Sequence, residues 1–311
     1  MTKFSALLKI TGTLSVVSLA AVACSAQGDG TTDVGTGGNV GSGGDVQGAG
    51  GLASTGGVAN SGGAPSGGGA STGGGTTLPA EAILFQEDFE SAADDTQPVS
   101  WDAFISYNVN VNNTKANGTY ALVDSTKAHG GSKALHVVGG SNPAMITRPL
   151  PEGTERLYVR AYVWLTNKLG QSPGHNHETL IGVRGTPGAA TTEVRFGEIK
   201  GVVGANEVPS DDISPTMDQW GAGPLIPSGA WNCIEVAFLG DTDTDQLTAW
   251  NDGIQVFDVN APSQWQNKGL GTDFLTGKFK EVILGWQSFS NYDNEIWFDD
   301  LIVATERIGC L

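Results

Sequence analysis

Two histidines one residue apart stand in Gly174-His175-Asn176-His177-Glu178, the densest polar cluster in a chain with 4 His. A His-x-His pair can hold a transition metal, yet no third ligand follows at suitable spacing. The cluster therefore reads either as a groove-facing pair or as the decoration of a surface loop. His129 and His136 read as structural, since His136 sits inside the apolar run Leu135-His136-Val137. The acidic run Asp241-Thr242-Asp243-Thr244-Asp245 lacks the glycine and the closing glutamate of a calcium loop, and is read as a solvated hairpin loop. Acidic residues are numerous enough for a glycosidase pair, but sequence alone places no two of them together. No nucleophile elbow, phosphate loop or thiol-based site is present.

Sugar rings stack on aromatic faces, and all 8 Trp lie beyond residue 100. Trp101, Trp220, Trp265 and Trp286 fall near loops or beside polar residues, and at least half of them are expected in a core. Trp286-Gln287 stands out among these, Trp286 as a candidate substrate-binding residue. Strand alternation puts Ile283, Gly285 and Gln287 on one face and Val282, Leu284 and Trp286 on the other. By the same alternation His177, Thr179 and Ile181 share a face.

The elements that must position these residues are strands. No helical period is sustained from Ile83 onward, whereas short β-branched and aromatic runs recur between Gly, Asn, Asp and Pro. Expected strands cover 83–90, 120–123, 133–138, 144–148, 156–165, 178–183, 193–200, 231–239, 246–250, 254–259, 278–286 and 295–305. Asn251-Asp252-Gly253 supplies the positive φ angles of a tight hairpin turn. Asp299-Asp300 lies within a strand that is apolar on both sides, so its charge must be compensated. A dozen strands without crossover helices predict an all-β, antiparallel two-sheet sandwich of the jelly-roll kind.

The rest of the chain has a different composition. Of 46 Gly, 21 fall within residues 28–75, and no Lys or Arg occurs between Lys9 and Lys115. Residues 1–23 read as a signal peptide: Lys3 and Lys9 precede a short apolar stretch that ends in Ala21-Val22-Ala23-Cys24. That ending is similar to the lipobox of bacterial lipoproteins, which implies acylation of Cys24 and an envelope location, periplasmic or surface-exposed. Residues 24–79 read as a disordered Gly-rich tether reaching roughly 35–40 Å. Residues 80–311 then form one domain, expected to be a monomer, carrying 14 basic and 30 acidic residues. Such a balance argues against nucleic acid as a partner, and the membrane is expected to be met only through the acyl chains. With Cys24 assigned to lipid, Cys233 and Cys310 are expected to pair in an oxidising compartment.

Several motifs carry a family resemblance: Glu87-Asp88-Phe89-Glu90-Ser91, Gly130-Gly131-Ser132-Lys133-Ala134-Leu135, Trp231-Asn232-Cys233-Ile234-Glu235, Trp297-Phe298-Asp299-Asp300-Leu301 and Arg307-Ile308-Gly309-Cys310. Together they resemble the cellulose-induced protein (Cip) family, whose fold is shared with alginate and glucuronan lyases. The resemblance implies a structural Ca²⁺ where the first and last strands meet. Its expected ligands are Glu90, Asp300 and Ser132, with Asp88 and Asp299 in reserve and carbonyls of the 131–133 turn. It also implies that the domain binds polysaccharide, or alternatively acts as a polysaccharide lyase. A third reading is an adhesive or structural domain. A lyase needs a group on the uronate carboxylate, a base for the C5 proton and an acid for the leaving oxygen. Counterparts would be His177 or His175, Arg195, Gln287 and Tyr292, with Glu198 and Trp286 touching substrate. The alginate-lyase signatures Gln-Ile-His and Tyr-Phe-Lys are absent.

Overall fold

The computed structural model describes residues 78–107, 111–170, 177–185, 193–199, 202–208, 214–215, 225–266, 279–289 and 292–310. The signal peptide, Cys24, most of the tether, His175 and Trp220 lie outside them. Among the described residues there are strands and short 3₁₀ turns but no α-helix. Strands β1 (Ile83–Glu87), β2 (Asp102–Phe104), β3 (Tyr120–Asp124), β4 (Ala134–Gly139), β5 (Ala144–Pro149) and β6 (Arg156–Leu165) come first. They are followed by β7 (His177–Arg184), β8 (Glu193–Ile199), β9 (Val202–Val208), β10 (Ser214–Pro215) and β11 (Trp231–Leu239). The last five are β12 (Gln246–Asn251), β13 (Ile254–Val259), β14 (Trp265–Gln266), β15 (Glu281–Ser288) and β16 (Asn294–Ala304).

Two antiparallel sheets form the expected sandwich. The larger runs β13-β12-β11-β6-β16-β4-β3, with β1 also on β16; the smaller runs β2-β5-β15-β7-β8-β9. Alternation aims Leu157, Val159, Ala161 and Val163 of β6 and Val282, Leu284 and Trp286 of β15 into one apolar core. Burying each such aliphatic side chain contributes about 1.5–3 kcal/mol. The β12–β13 hairpin turns at Asp252 and Gly253, both with positive φ (49° and 79°), as their types foretell.

The C-terminal segment is fastened to β11. Cys233 and Cys310 form a disulfide. Beside it the buried Glu235 carboxylate accepts the backbone N–H groups of Ile308 (2.7 Å) and Gly309 (3.1 Å). His136 is structural, as expected: it stacks on Trp297 and bridges Asp124 and Glu295. Burial alone would raise the Asp124 carboxyl, but hydrogen bonds from His136 and Thr126 hold it well below the usual range.

Three expectations need correction. A bulge between Thr179 and Ile181 turns Ile181 into the core, away from the face of His177 and Thr179. Trp286 is fully buried and donates its indole N–H to the Tyr292 carbonyl, so it offers no stacking surface. In the loop between β11 and β12, Asp245 is fully buried rather than solvated.

Candidate functional site

The face of the smaller sheet turned away from the core carries charge. Period-two alternation brings Arg184 from β7, Glu193 and Arg195 from β8, and Glu281 and Gln287 from β15 to this face. Arg184 donates from Nε to Glu193 Oε1 (2.7 Å) and from Nη1 to Glu281 Oε2 (3.3 Å). Arg195 pairs with the other Glu193 oxygen through Nε and Nη2, and its Nη1 donates to Gln287 Oε1 (2.6 Å). Two guanidiniums thus balance two carboxylates, which compensates the cost of burying all four.

A second layer stands above this floor. The Tyr107 hydroxyl lies 3.1 Å from Gln287 Oε1 and 3.0 Å from Nε2, and Gln287 Nε2 also donates to the Ser141 carbonyl (3.1 Å). His177 Nδ1 lies 3.3 Å from Asn206 Nδ2, and Asn206 is the register partner of Arg195. The Phe289 ring stands 6.0 Å from the His177 ring and 5.7 Å from the Arg195 guanidinium. Exposure separates the layers: Tyr107 is 51% and Phe289 43% exposed, while Arg195 and Gln287 are 1%. Tyr107, Phe289 and His177 are thus the more open groups of this face, with Arg195 and Gln287 beneath them.

Of the residues expected at one site, His177, Arg195 and Gln287 come together. Tyr292 does not join them, because it packs half-buried against the core, on the opposite side of the sheet from Gln287. Glu198 is likewise corrected: it is fully buried opposite Glu178, where no substrate reaches it. Burial is the main cause raising both carboxyls, Glu178 to about 7 and Glu198, which also feels the charge of Glu178, to about 8. Sequence reasoning missed Tyr107, Asn206 and Glu193. Alternation in Glu193-Val194-Arg195 could have exposed Glu193, but Tyr107 follows β2 in a segment without period.

The proposed metal region is a break in a strand edge. Along β16, β4 pairs with residues up to Phe298 and β1 takes over at Leu301, leaving Asp299 and Asp300 between them. The Gly130–Ser132 turn and Glu90 fill that break. Glu90 accepts from Ser132 N (2.7 Å), Ser132 Oγ (2.7 Å) and Lys133 N (2.8 Å), bonds that hold its carboxyl below the ordinary value. A side chain at Gly131 would overlap the Glu90 carboxylate, and one at Gly130 would reach 2.9 Å from both Asp300 oxygens. Phe89 and Asp300 both take left-handed φ (58° and 46°) around it. Among the described residues no three His, Cys, Asp or Glu are grouped to hold a metal. The set here is two carboxylates with a hydroxyl, which fits a cation satisfied by mixed oxygen donors such as Ca²⁺ and not one wanting nitrogen or sulfur. Asp299 takes another part, since its oxygens accept from His129 N, Gly130 N and Asp300 N. Asp88 Oδ1 accepts from Glu90 N (3.1 Å).

A family model of polysaccharide-lyase-like proteins, the Cip1-like core domain, matches residues 88–306. The chain belongs to this family. A solved structure named cellulose induced protein, Cip1, aligns at 25% identity and TM-score 0.50, covering 73% of this chain and all (100%) of that one. An endo-β-1,4-glucuronan lyase from the fungus Trichoderma reesei aligns at 14% identity and TM-score 0.40, covering 70% and 95%. A mutant of alginate lyase Aly36B in complex with alginate trisaccharide aligns at 11% and TM-score 0.42, covering 73% and 99%. No curated protein matches. Membership in the Cip1-like family agrees with the two-sheet fold.

Proposed function

We propose that the domain cleaves a uronate-containing polysaccharide by β-elimination on the outer face of the smaller sheet. The observation that carries this reading is the chain Tyr107–Gln287–Arg195 with His177 beside it. His177, oriented by Asn206, takes the C5 proton. The released electron pair forms the C4=C5 bond, the C4–O4 bond breaks, and Tyr107 gives its proton to O4. Gln287, with the Arg195 charge behind it, stabilises the negative charge that develops at the carboxylate. Phe289 supplies the apolar wall.

A second reading, binding of a neutral glycan without cleavage, is favoured by one observation. The Arg184–Glu193–Arg195–Glu281 network is electrically balanced, in a chain of net charge −17. Incubation with polyuronates and neutral glycans distinguishes the readings. New absorbance from the unsaturated uronate, abolished in His177→Ala and Tyr107→Phe, is the expected result. Retarded migration in affinity gels without new absorbance would leave only the binder.

We also propose that Glu90, Asp300 and Ser132 hold Ca²⁺, which would neutralise the paired carboxylates and tie the two ends of the domain together. The N-terminal region would anchor the domain at the cell envelope through an acylated Cys24.

A further inference from the structure

A cavity of about 700 Å³ opens elsewhere, between β1, the 88–100 segment, the middle of β6 and the later half of β16. That volume falls within the roughly 300–1,000 Å³ of small-ligand sites. Its wall includes the outward residues of β6, Arg160 and Tyr162, and thus belongs to the larger sheet, on the opposite side of the sandwich from Gln287 and His177. We infer that this cleft is a second carbohydrate site, one that takes a neutral pyranose unit.

Three observations carry the inference. The first is a buried donor that lacks a partner: Arg160 is only 5% exposed, its Nη2 donates to the Asp300 carbonyl (3.0 Å), and its Nε has no hydrogen-bond partner. Arg160 therefore lines the cleft with donor capacity that the protein does not take up. The second is a flat aromatic surface. His129 stacks on Tyr162 with ring centres 3.5 Å apart and 11° between planes, and the edge of Trp231 stands 5.7 Å from His129. The C–H face of a pyranose packs on surfaces of this kind.

The third observation is the charge pattern, and it selects the ligand. Arg148 and Arg160 line the cleft together with Glu87, Asp88 and Asp300; Arg148 pairs with Glu87 (3.8 Å) and His129 with Asp300 (2.6 Å). With Asp300 offset by the proposed Ca²⁺, Glu87 and Asp88 balance the two guanidiniums, so no excess positive charge draws an anionic sugar, and so many polar groups disfavour an apolar ligand. Hydroxyl groups, which donate and accept at once, match mixed donors and acceptors around an aromatic floor. The inference does not depend on elimination chemistry at the other face. With both sites filled, one domain would hold a glycan on each side.

Isothermal titration of the full chain in calcium buffer with neutral gluco-, manno- and xylo-oligosaccharides tests the assignment. The expected result is saturable binding weakened at least tenfold by Tyr162→Ala, and equally by Ser91→Trp, which fills the cleft from its exposed rim. Tyr107→Phe should leave that binding intact, and Tyr162→Ala should leave uronate elimination intact. Thermal melts exclude misfolded variants, and the rim substitution stands if Tyr162→Ala fails to fold. Absence of saturable binding, binding that survives both cleft variants, binding lost in Tyr107→Phe, or preference for acidic oligosaccharides would each overturn it.

Discussion

Glu178 and Glu198 face each other across β7 and β8 with 2% and 0% exposure, on the core side of the sheet that carries Arg195 and Gln287 on its other face. Burial, and for Glu198 the neighbouring charge, lifts both from an ordinary 4.5 to about 7 and about 8. The pair therefore keeps at least one proton at neutral pH.

Stability should accordingly fall with alkalinity. Both carboxyls bind protons more tightly folded than unfolded, so their contribution is complete below about pH 4.5 and is lost as pH rises through about 7 to 8. Asp299, raised to about 6 chiefly by burial, adds the same sign at lower pH. Denaturant midpoints between pH 5 and 9 should decline by an amount equivalent to a few kcal/mol, and Glu198→Gln should flatten the upper part of the curve. A variant profile parallel to the wild type would refute the pairing.

Loss of the Tyr107 hydroxyl should act on turnover. Tyr107→Phe is expected to lower kcat for uronate elimination by about 10²–10⁴, the usual range for a general acid, with little change in KM. Tyr292→Phe should leave kcat unchanged, because Tyr292 lies on the core side. Initial rates followed through the absorbance of the unsaturated uronate report both.

Gly131 tests the break in the β16 edge. Its φ of 60° and the Glu90 carboxylate beside it leave no place for a methyl group. Gly131→Ala should cost at least about 1 kcal/mol and abolish the rise in melting temperature that Ca²⁺ bound at this turn would give the wild type. Melts with Ca²⁺ and with chelator decide it: an equal rise in both proteins would remove the metal from this turn.

Cys310→Ser should destabilise by about 2–5 kcal/mol, since the bridge closes a long loop. Glu235 would still hold the Ile308 and Gly309 amides, so the C-terminal segment should remain docked at low temperature. Hydrogen exchange at those two amides measures this; immediate loss of their protection would mean that the disulfide alone holds the segment.

The fold was legible because each strand carries its own alternation: β6, β11 and β13 lie where their residues predict, to the terminal residue. β2 escaped notice because Asp102–Phe104 is too short to show a period, and β9 because Val202-Val203-Gly204-Ala205 follows a Lys-Gly pair that resembles a loop. At the site, Arg195 and Gln287 were accessible to period-two reasoning. Tyr107 reaches Gln287 across 180 positions of sequence, which leaves no local trace, whereas the burial of Trp286 was already implied by the face it shares with Val282 and Leu284. Ionisable pairs such as Glu178–Glu198 depend on register between strands, which one strand's pattern does not contain.

The pairing of β1 with β16 also has a mechanical side. Any load applied through the N-terminal region enters the domain at Ile83 and runs along β1, whose partners extend from Ala304 to Leu301. Force along that axis shears the ladder, so its hydrogen bonds must rupture together instead of opening one by one. The far end of β1 leads directly to Glu90 and its three bonds to Ser132 and Lys133, while Cys310 closes the opposite terminus. A domain that grips a polymer while being held from its N-terminus would thus carry tension along the β1–β16 seam.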